Sequence, residues 1–314
     1  MRINRFGSQD NRLHCLIFLL GLLWFPSVKA ANEYPFKVES IGANGHWEVV
    51  AKNAGPAPIY AVISLANSKN ISSDRHWPVS VLVPSYSNKA VVKVHQTDPG
   101  GSAGFSLRTT IKIGDPGAVP DMNVLYRLPF QDGLQFRISQ ANGGPVTTHT
   151  DKDALYAVDF PMPVGTTVVA ARGGTVIDIV RPNKEGDKQA KFLDKANYVR
   201  ILHDDGTWAV YAHLLHYTSE LYLGQRIKAG EPIGLSGNSG YSSGPHLHFV
   251  IQKNGGESDT SIPFSFYNQR RGPFIARYGD VVAADYTEIS KKQGEAPRNG
   301  IGNRQIDGRQ TITK

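Results

Sequence analysis

In "HLHFVIQ" (246–252) apolar side chains fall at every second position, Leu247, Phe249 and Ile251. A period of two marks a strand with one buried face. Successive side chains point to opposite faces, so His246 and His248 share one side while Leu247 and Phe249 enter the core. "TWAVYAHL" (207–214) alternates in the same way, with Tyr211 and His213 on one face and Val210, Ala212 and Leu214 on the other. "HDDGT" (203–207) puts an Asp-Gly turn between two alternating runs and predicts a hairpin. With "TTVVAARGGTVIDIV" and "QRIKAGEPIGLSG" these runs predict a β-rich unit over about 122–272, with almost no helical period. Upstream, "HWEVVAKN", "IYAVISLAN", "WPVSVLVP", "KAVVKVHQ" and "FSLRTTIKIG" are short runs separated by Gly, Pro, Asn and Ser. That rhythm predicts a small immunoglobulin-like β-sandwich. The expected fold class is therefore all-β. The turn-rich "GDPGAVPD" divides a sandwich domain (31–118) from a second domain (119–274), and 275–314 reads as a polar, flexible tail.

The first thirty residues stand apart. Arg2, Arg5 and Arg12 precede the apolar run "LHCLIFLLGLLWFPSV", and "SVKA" ends on small residues. This layout is that of a secretory signal peptide cleaved after Ala30. The apolar core is short for a spanning helix, and no later segment approaches the roughly 18 apolar residues one needs. The product is expected to be exported, periplasmic or extracellular, with no integral membrane segment once the signal is removed. Cleavage leaves 30 basic and 26 acidic side chains, a formal charge of +4 against +7 for the whole chain. That balance is compatible with an anionic polymer such as cell wall. Dense Lys/Arg patches with interleaved aromatics are missing, which sets nucleic acid aside.

Cys15, the single cysteine, lies inside the signal, so the mature chain has neither disulfides nor thiolate ligands. Any zinc site must come from histidine and carboxylate. The second unit holds six of the ten histidines: His149, His203, His213, His216, His246 and His248. Asp159 interrupts the apolar "LYAVDF", and a buried carboxylate needs a partner, whether an arginine or a metal. The pair His246/His248 suits a metal, a proton-transfer pair, one of each, or a merely solvated strand face. Two His and one Asp, with a fourth position for water, make an open catalytic zinc site. Further histidines beside it can act as general base and as oxyanion stabiliser, and spacing does not say which does which.

"YAVDFPMPVGTTVVAARGGTV", "NYVRILHDDGTWAVYAHL" and "GQRIKAGEPIGLSGNSGYSSGPHLHFVIQ" resemble, in order, the lysostaphin-type (LytM-like) zinc metallopeptidases that cut peptidoglycan peptides. The resemblance covers about 122–270. It implies His149, Asp159 and His248 as zinc ligands, His213 and His246 as catalytic, non-ligand histidines, Zn2+ as cofactor and peptidoglycan peptides as substrate. His203 and His216 match no functional position and read as turn residues. The common family spacing, H-x-x-x-D, would put the first ligand at 155, where Leu155 stands. His149 lies ten residues before Asp159, so "TDKDALYAV" must loop out; a longer spacing of this kind occurs in some branches of the family.

"GLSGNSGYSSG" is followed by neither Lys-Ser/Thr nor a helix, so it reads as a turn that lets backbone approach the cleft rather than a phosphate loop. No HExxH occurs. Three function classes compete: an exported zinc endopeptidase acting on peptidoglycan, a non-catalytic LytM-like wall-binding regulator of an amidase, and a plain binding module.

Overall fold

Strands Phe36–Ala43, His46–Asn53, Ser87–Gln96 and Ile71–Ser73 lie side by side in one antiparallel sheet, and Val79–Val83, Ile59–Lys69 and Gly104–Ile113 in another. The alternation seen in sequence sorts their side chains: Val79, Val81 and Val83 are buried while Ser80 is exposed. Val49, Ala51, Val92 and Val94 from the first sheet meet Ile59, Ala61, Ile63 and Val81 from the second in one core. The computed structural model describes residues 34–286. The expected signal peptide (1–30) lies outside the described residues, as does 287–314.

The second half is organised around a larger sheet. Its strands run Val158–Pro161, His246–Asn254, Trp208–Ala212, Tyr198–Leu202, Gly174–Val180 and Arg226–Ile227, all neighbours antiparallel, with Asp259–Ser261 joining His246–Asn254. Every residue of Trp208–Ala212 is buried, because this sheet is covered on both faces. Ala209, Tyr211, Leu247, Phe249 and Ile251 enter a core with Phe130, Phe160 and Phe266. Trp208, Val210 and Val250 face the other way, into the core already formed by Val49 and Ile59.

The two halves thus share a core across the junction. Trp208 is fully buried against Gly114, where φ is +87° and a Cβ would come within 2.7 Å of the indole. Asn254 Nδ2 donates to the Gly114 carbonyl at 2.9 Å. Gly114 is needed twice over, for its left-handed backbone and for the close approach.

Residues 275–286 depart from the expected tail. Val281–Ala283 pairs with Gln135–Arg137, and Val282 and Ala284 are buried. The Tyr286 hydroxyl accepts from the Leu128 N–H at 2.7 Å, and the Arg127 guanidinium sits 4.3 Å from the Tyr286 ring centre. A three-residue strand among polar neighbours gives too short a period to read from sequence.

Candidate metal centre and active site

Register builds the site. On the His246–Asn254 strand, His248 stands directly opposite Asp159 on one side and Ala212 on the other. Leu247 and Phe249 anchor the strand's opposite face, so His246 and His248 are both turned toward Asp159. His248 Nδ1 lies 3.0 Å from Asp159 Oδ1.

His149 arrives from a loop. Asp159 pairs through its backbone with the 139–140 segment, and the intervening chain returns the imidazole so that Nε2 stands 3.2 Å from Asp159 Oδ2. The extra residues fold into turns, with the Ala154 N–H donating to the Asp151 carbonyl and the Ala157 N–H to that of Ala154. Gln252 donates to the Asp153 carbonyl at 2.7 Å and Ser261 Oγ to that of Lys152 at 2.8 Å, while Ala154 and Ala157 are buried beneath. The ten-residue gap is therefore a tucked turn with fixed ends. Leu155, at the position of the shorter spacing, is exposed.

His213 reaches the site by breaking the alternation. Ala212 shares a face with His248, so a regular strand would send residue 213 to the opposite face. Instead the strand ends at Ala212 and His213 takes φ +63°. Its ring then stands 4.5 Å from that of His246 and 5.9 Å from that of His248. Tyr211 lies in the core, its hydroxyl accepting from the Ala171 N–H at 2.7 Å, and does not share a face with His213.

The non-bonded ring nitrogens are defined by their neighbours. His213 Nδ1 is 2.7 Å from the Ser239 carbonyl and His246 Nδ1 is 2.8 Å from that of Gly244. A carbonyl only accepts, so both Nδ1 atoms carry the hydrogen and both Nε2 atoms are free to accept. Ser239 is itself tied down: its hydroxyl donates to the Leu214 carbonyl and accepts from the Asn197 N–H. The Asn197 amide donates to Leu214 and Asn183. Gly240 (φ +80°) must be glycine, since a Cβ would lie 2.5 Å from the Ala196 nitrogen. Asn197, Ser239 and the Ser242 hydroxyl, 3.2 Å from His246 Nδ1, were not singled out by sequence reasoning. Only the Gly-rich loop hinted at them, as a place where backbone approaches the cleft.

Burial opposes ionisation of Asp159, but hydrogen bonds from His149 and His248 outweigh it and hold the carboxyl well below its usual range. Burial, then the neighbouring His246 and His248, pushes His213 down to about 3, and burial likewise lowers His248. The contact between His248 Nδ1 and Asp159 Oδ1 is one that a shared metal would replace. His149, Asp159 and His248 are all buried, and each offers one ligand atom within 4.8 Å of the others. Ligands of a tetrahedral site with bonds of about 2.0–2.1 Å stand roughly 3.3 Å apart. His248 Nδ1 is 3.0 Å from one Asp159 oxygen and His149 Nε2 3.2 Å from the other, so the carboxylate sits between the two imidazoles at ligand-like range of each. Two imidazoles and one carboxylate fit a small divalent ion by chemistry.

His203 and His216 are not brought to this centre. His203 is buried at the head of the hairpin turn, Nδ1 3.0 Å from the Gly173 carbonyl and its ring edge-on to Tyr126. His216 packs on Tyr217.

The model of Peptidase family M23 matches residues 154–260. These residues form a peptidase M23 domain. Asp159, His213, His246 and His248 fall inside the match, and His149 lies five residues ahead of it. A metalloprotease of Buchnera aphidicola subsp. Baizongia pistaciae is 30% identical over 143 residues, 45% of this chain and 34% of its own. The glycyl-glycine endopeptidase ALE-1 of Staphylococcus capitis is 36% identical over 127 residues, 38% of this chain and 32% of its own. The peptidoglycan DD-endopeptidase ShyC of Vibrio cholerae is 32% identical over 155 residues, 48% and 33%. The chain spans about a third of the length of these relatives.

Proposed function

We propose that this chain is an exported, zinc-dependent endopeptidase that hydrolyses peptide bonds of peptidoglycan. The observation that carries the reading is the convergence of His149 Nε2, Asp159 and His248 Nδ1 beside two histidines whose Nε2 atoms are left free to accept. The relatives' action on glycyl-glycine and peptidoglycan peptides supports the substrate class, and the Arg-flanked apolar N-terminus supports export. Residues 31–118 are taken as an immunoglobulin-like domain attached to the peptidase. All five candidate residues, His149, Asp159, His213, His246 and His248, are present and lie together, which favours the enzyme over a regulator lacking part of the set.

His149, Asp159 and His248 would hold the zinc, which when bound polarises the scissile carbonyl and acidifies the attacking water. His246 is the more open of the two remaining histidines, with 13% of its side chain exposed against 2% for the whole of His213. His246 Nε2 takes the proton of the attacking water and returns it to the amine nitrogen as the C–N bond breaks. Asp159 Oδ2, 3.7 Å from that Nε2, stabilises the imidazolium meanwhile. His213 stays neutral and accepts the water's second hydrogen at Nε2, fixing its direction of attack. The test is a pair of variants. His246→Ala is expected to keep zinc at wild-type stoichiometry and lose about 100–1000-fold in turnover, in the range typical of acid–base and oxyanion residues. His248→Ala is expected to lose zinc and activity together. Equal zinc and equal activity in the two variants would overturn the assignment.

A further inference from the structure

We infer that Gln140 is a positioning residue for the metal centre: one side-chain amide fixes the Asp159 carboxylate and the loop that delivers His149. The inference rests on the metallopeptidase reading and concerns how the unusually wide His149–Asp159 spacing is held.

Gln140 Nε2 lies 2.9 Å from Asp159 Oδ2. Its Oε1 accepts from the Thr148 N–H at 2.7 Å and from Thr148 Oγ1 at 3.2 Å. The two ends cannot be exchanged. An ionised carboxylate only accepts and a backbone N–H only donates, so the amide has a single orientation that satisfies both. The backbone beneath is equally fixed, since the Asp159 N–H donates to the Gln140 carbonyl and the Ser139 N–H to that of Asp159. Gln140 therefore holds Asp159 through main chain and side chain together.

The far end of the His149 loop is secured by Gln252 and Ser261 at residues 152–153. The near end is held by Gln140 at Thr148 and by the Thr147 hydroxyl, which accepts from the His149 N–H at 3.2 Å. Thr148 is the residue immediately before the ligand. A single amide thus spans from one ligand to the neighbour of another, over a gap that the chain itself covers only through a loop. Partners of metal-ligating groups act in this way, and their removal typically weakens metal binding about 10–100-fold.

Gln140→Met keeps the length and removes all three side-chain hydrogen bonds; Gln140→Asn keeps the chemistry and is too short to reach both partners. The full chain, wild type and both variants, is stripped of metal and titrated with zinc against a chromophoric chelator, with melting temperature recorded metal-free. The cobalt(II)-loaded proteins are compared by visible absorption. The expected result is a 10–100-fold loss of zinc affinity in Gln140→Met, a smaller loss in Gln140→Asn, and a shifted cobalt spectrum, with metal-free melting close to wild type. Should Gln140→Met fail to fold, Gln140→Asn carries the test alone. Affinity within twofold of wild type with an unchanged cobalt spectrum would overturn the inference. So would an affinity loss matched by an equal loss of metal-free stability, which would assign Gln140 to the fold instead. A wild-type chain that binds no zinc would contradict the metallopeptidase reading itself, a separate outcome.

Discussion

His213 holds a backbone conformation that costs a non-glycine residue about 1–3 kcal/mol, and it does so where a regular strand would carry its ring away from the site. The strain is sustained by neighbours: Ser239 on the ring, and Asn197 and Ser239 on the following carbonyl. His203 makes a contrasting use of burial. Burial, against the hydrogen bond to Gly173, pushes it from an ordinary value of 6.5 to about 4. Between those values the unfolded chain binds the extra proton and the folded chain does not. Stability contributed by neutral His203 is thus fully present above pH 6.5 and is lost as pH falls toward 4, by about 3 kcal/mol across the window. His203→Gln cannot titrate there. Urea denaturation of metal-free protein should show the wild type losing about 3 kcal/mol more than His203→Gln between pH 7 and pH 4. Parallel losses would show that His203 does not carry this pH dependence.

At the scale of elements, what could be read from sequence was what one strand can display. "HLHFVI" shows its faces because Leu247, Phe249 and Ile251 enter one core while the histidines are turned together toward Asp159. The Asp-Gly hairpin is equally local, with Gly206 at φ +79° between Tyr198–Leu202 and Trp208–Ala212. Other features depend on partners far along the chain. The turn at 150–157 buries only two alanines of its own and is anchored by Gln252 and Ser261, about a hundred residues on. Gln140 carries no signal at all, since a glutamine beside a turn is ordinary until Asp159 is set opposite it. The face of His213 was misread because alternation assumes a continuous strand, and this one ends a residue too soon. Val281–Ala283 was missed because three apolar residues among polar neighbours are too short a run to show a period, and the strand is defined by its pairing with Gln135–Arg137.

For the molecule as a whole, the decisive feature is the shared core at Trp208. Residues 34–113 cover a face of the sheet that carries Asp159 and His248, and the buried indole nitrogen donates to Gln252, which in turn holds the His149 loop. The first half is therefore part of the scaffold of the site. Residues 119–314 expressed alone would expose Trp208, Val210 and Val250, and leaving a buried apolar side chain in water costs about 1.5–3 kcal/mol each. That fragment should melt well below residues 31–314, and equal melting temperatures would show that the halves are independent. Whether the zinc peptidase acts on peptidoglycan is decided by incubating residues 31–314, zinc-loaded, with isolated cross-linked peptidoglycan, beside a chelated sample and His246→Ala, with released fragments read by mass. Peptide-bond cleavage is expected in the loaded wild type and should disappear in both controls. Intact peptidoglycan from protein carrying stoichiometric zinc would contradict it.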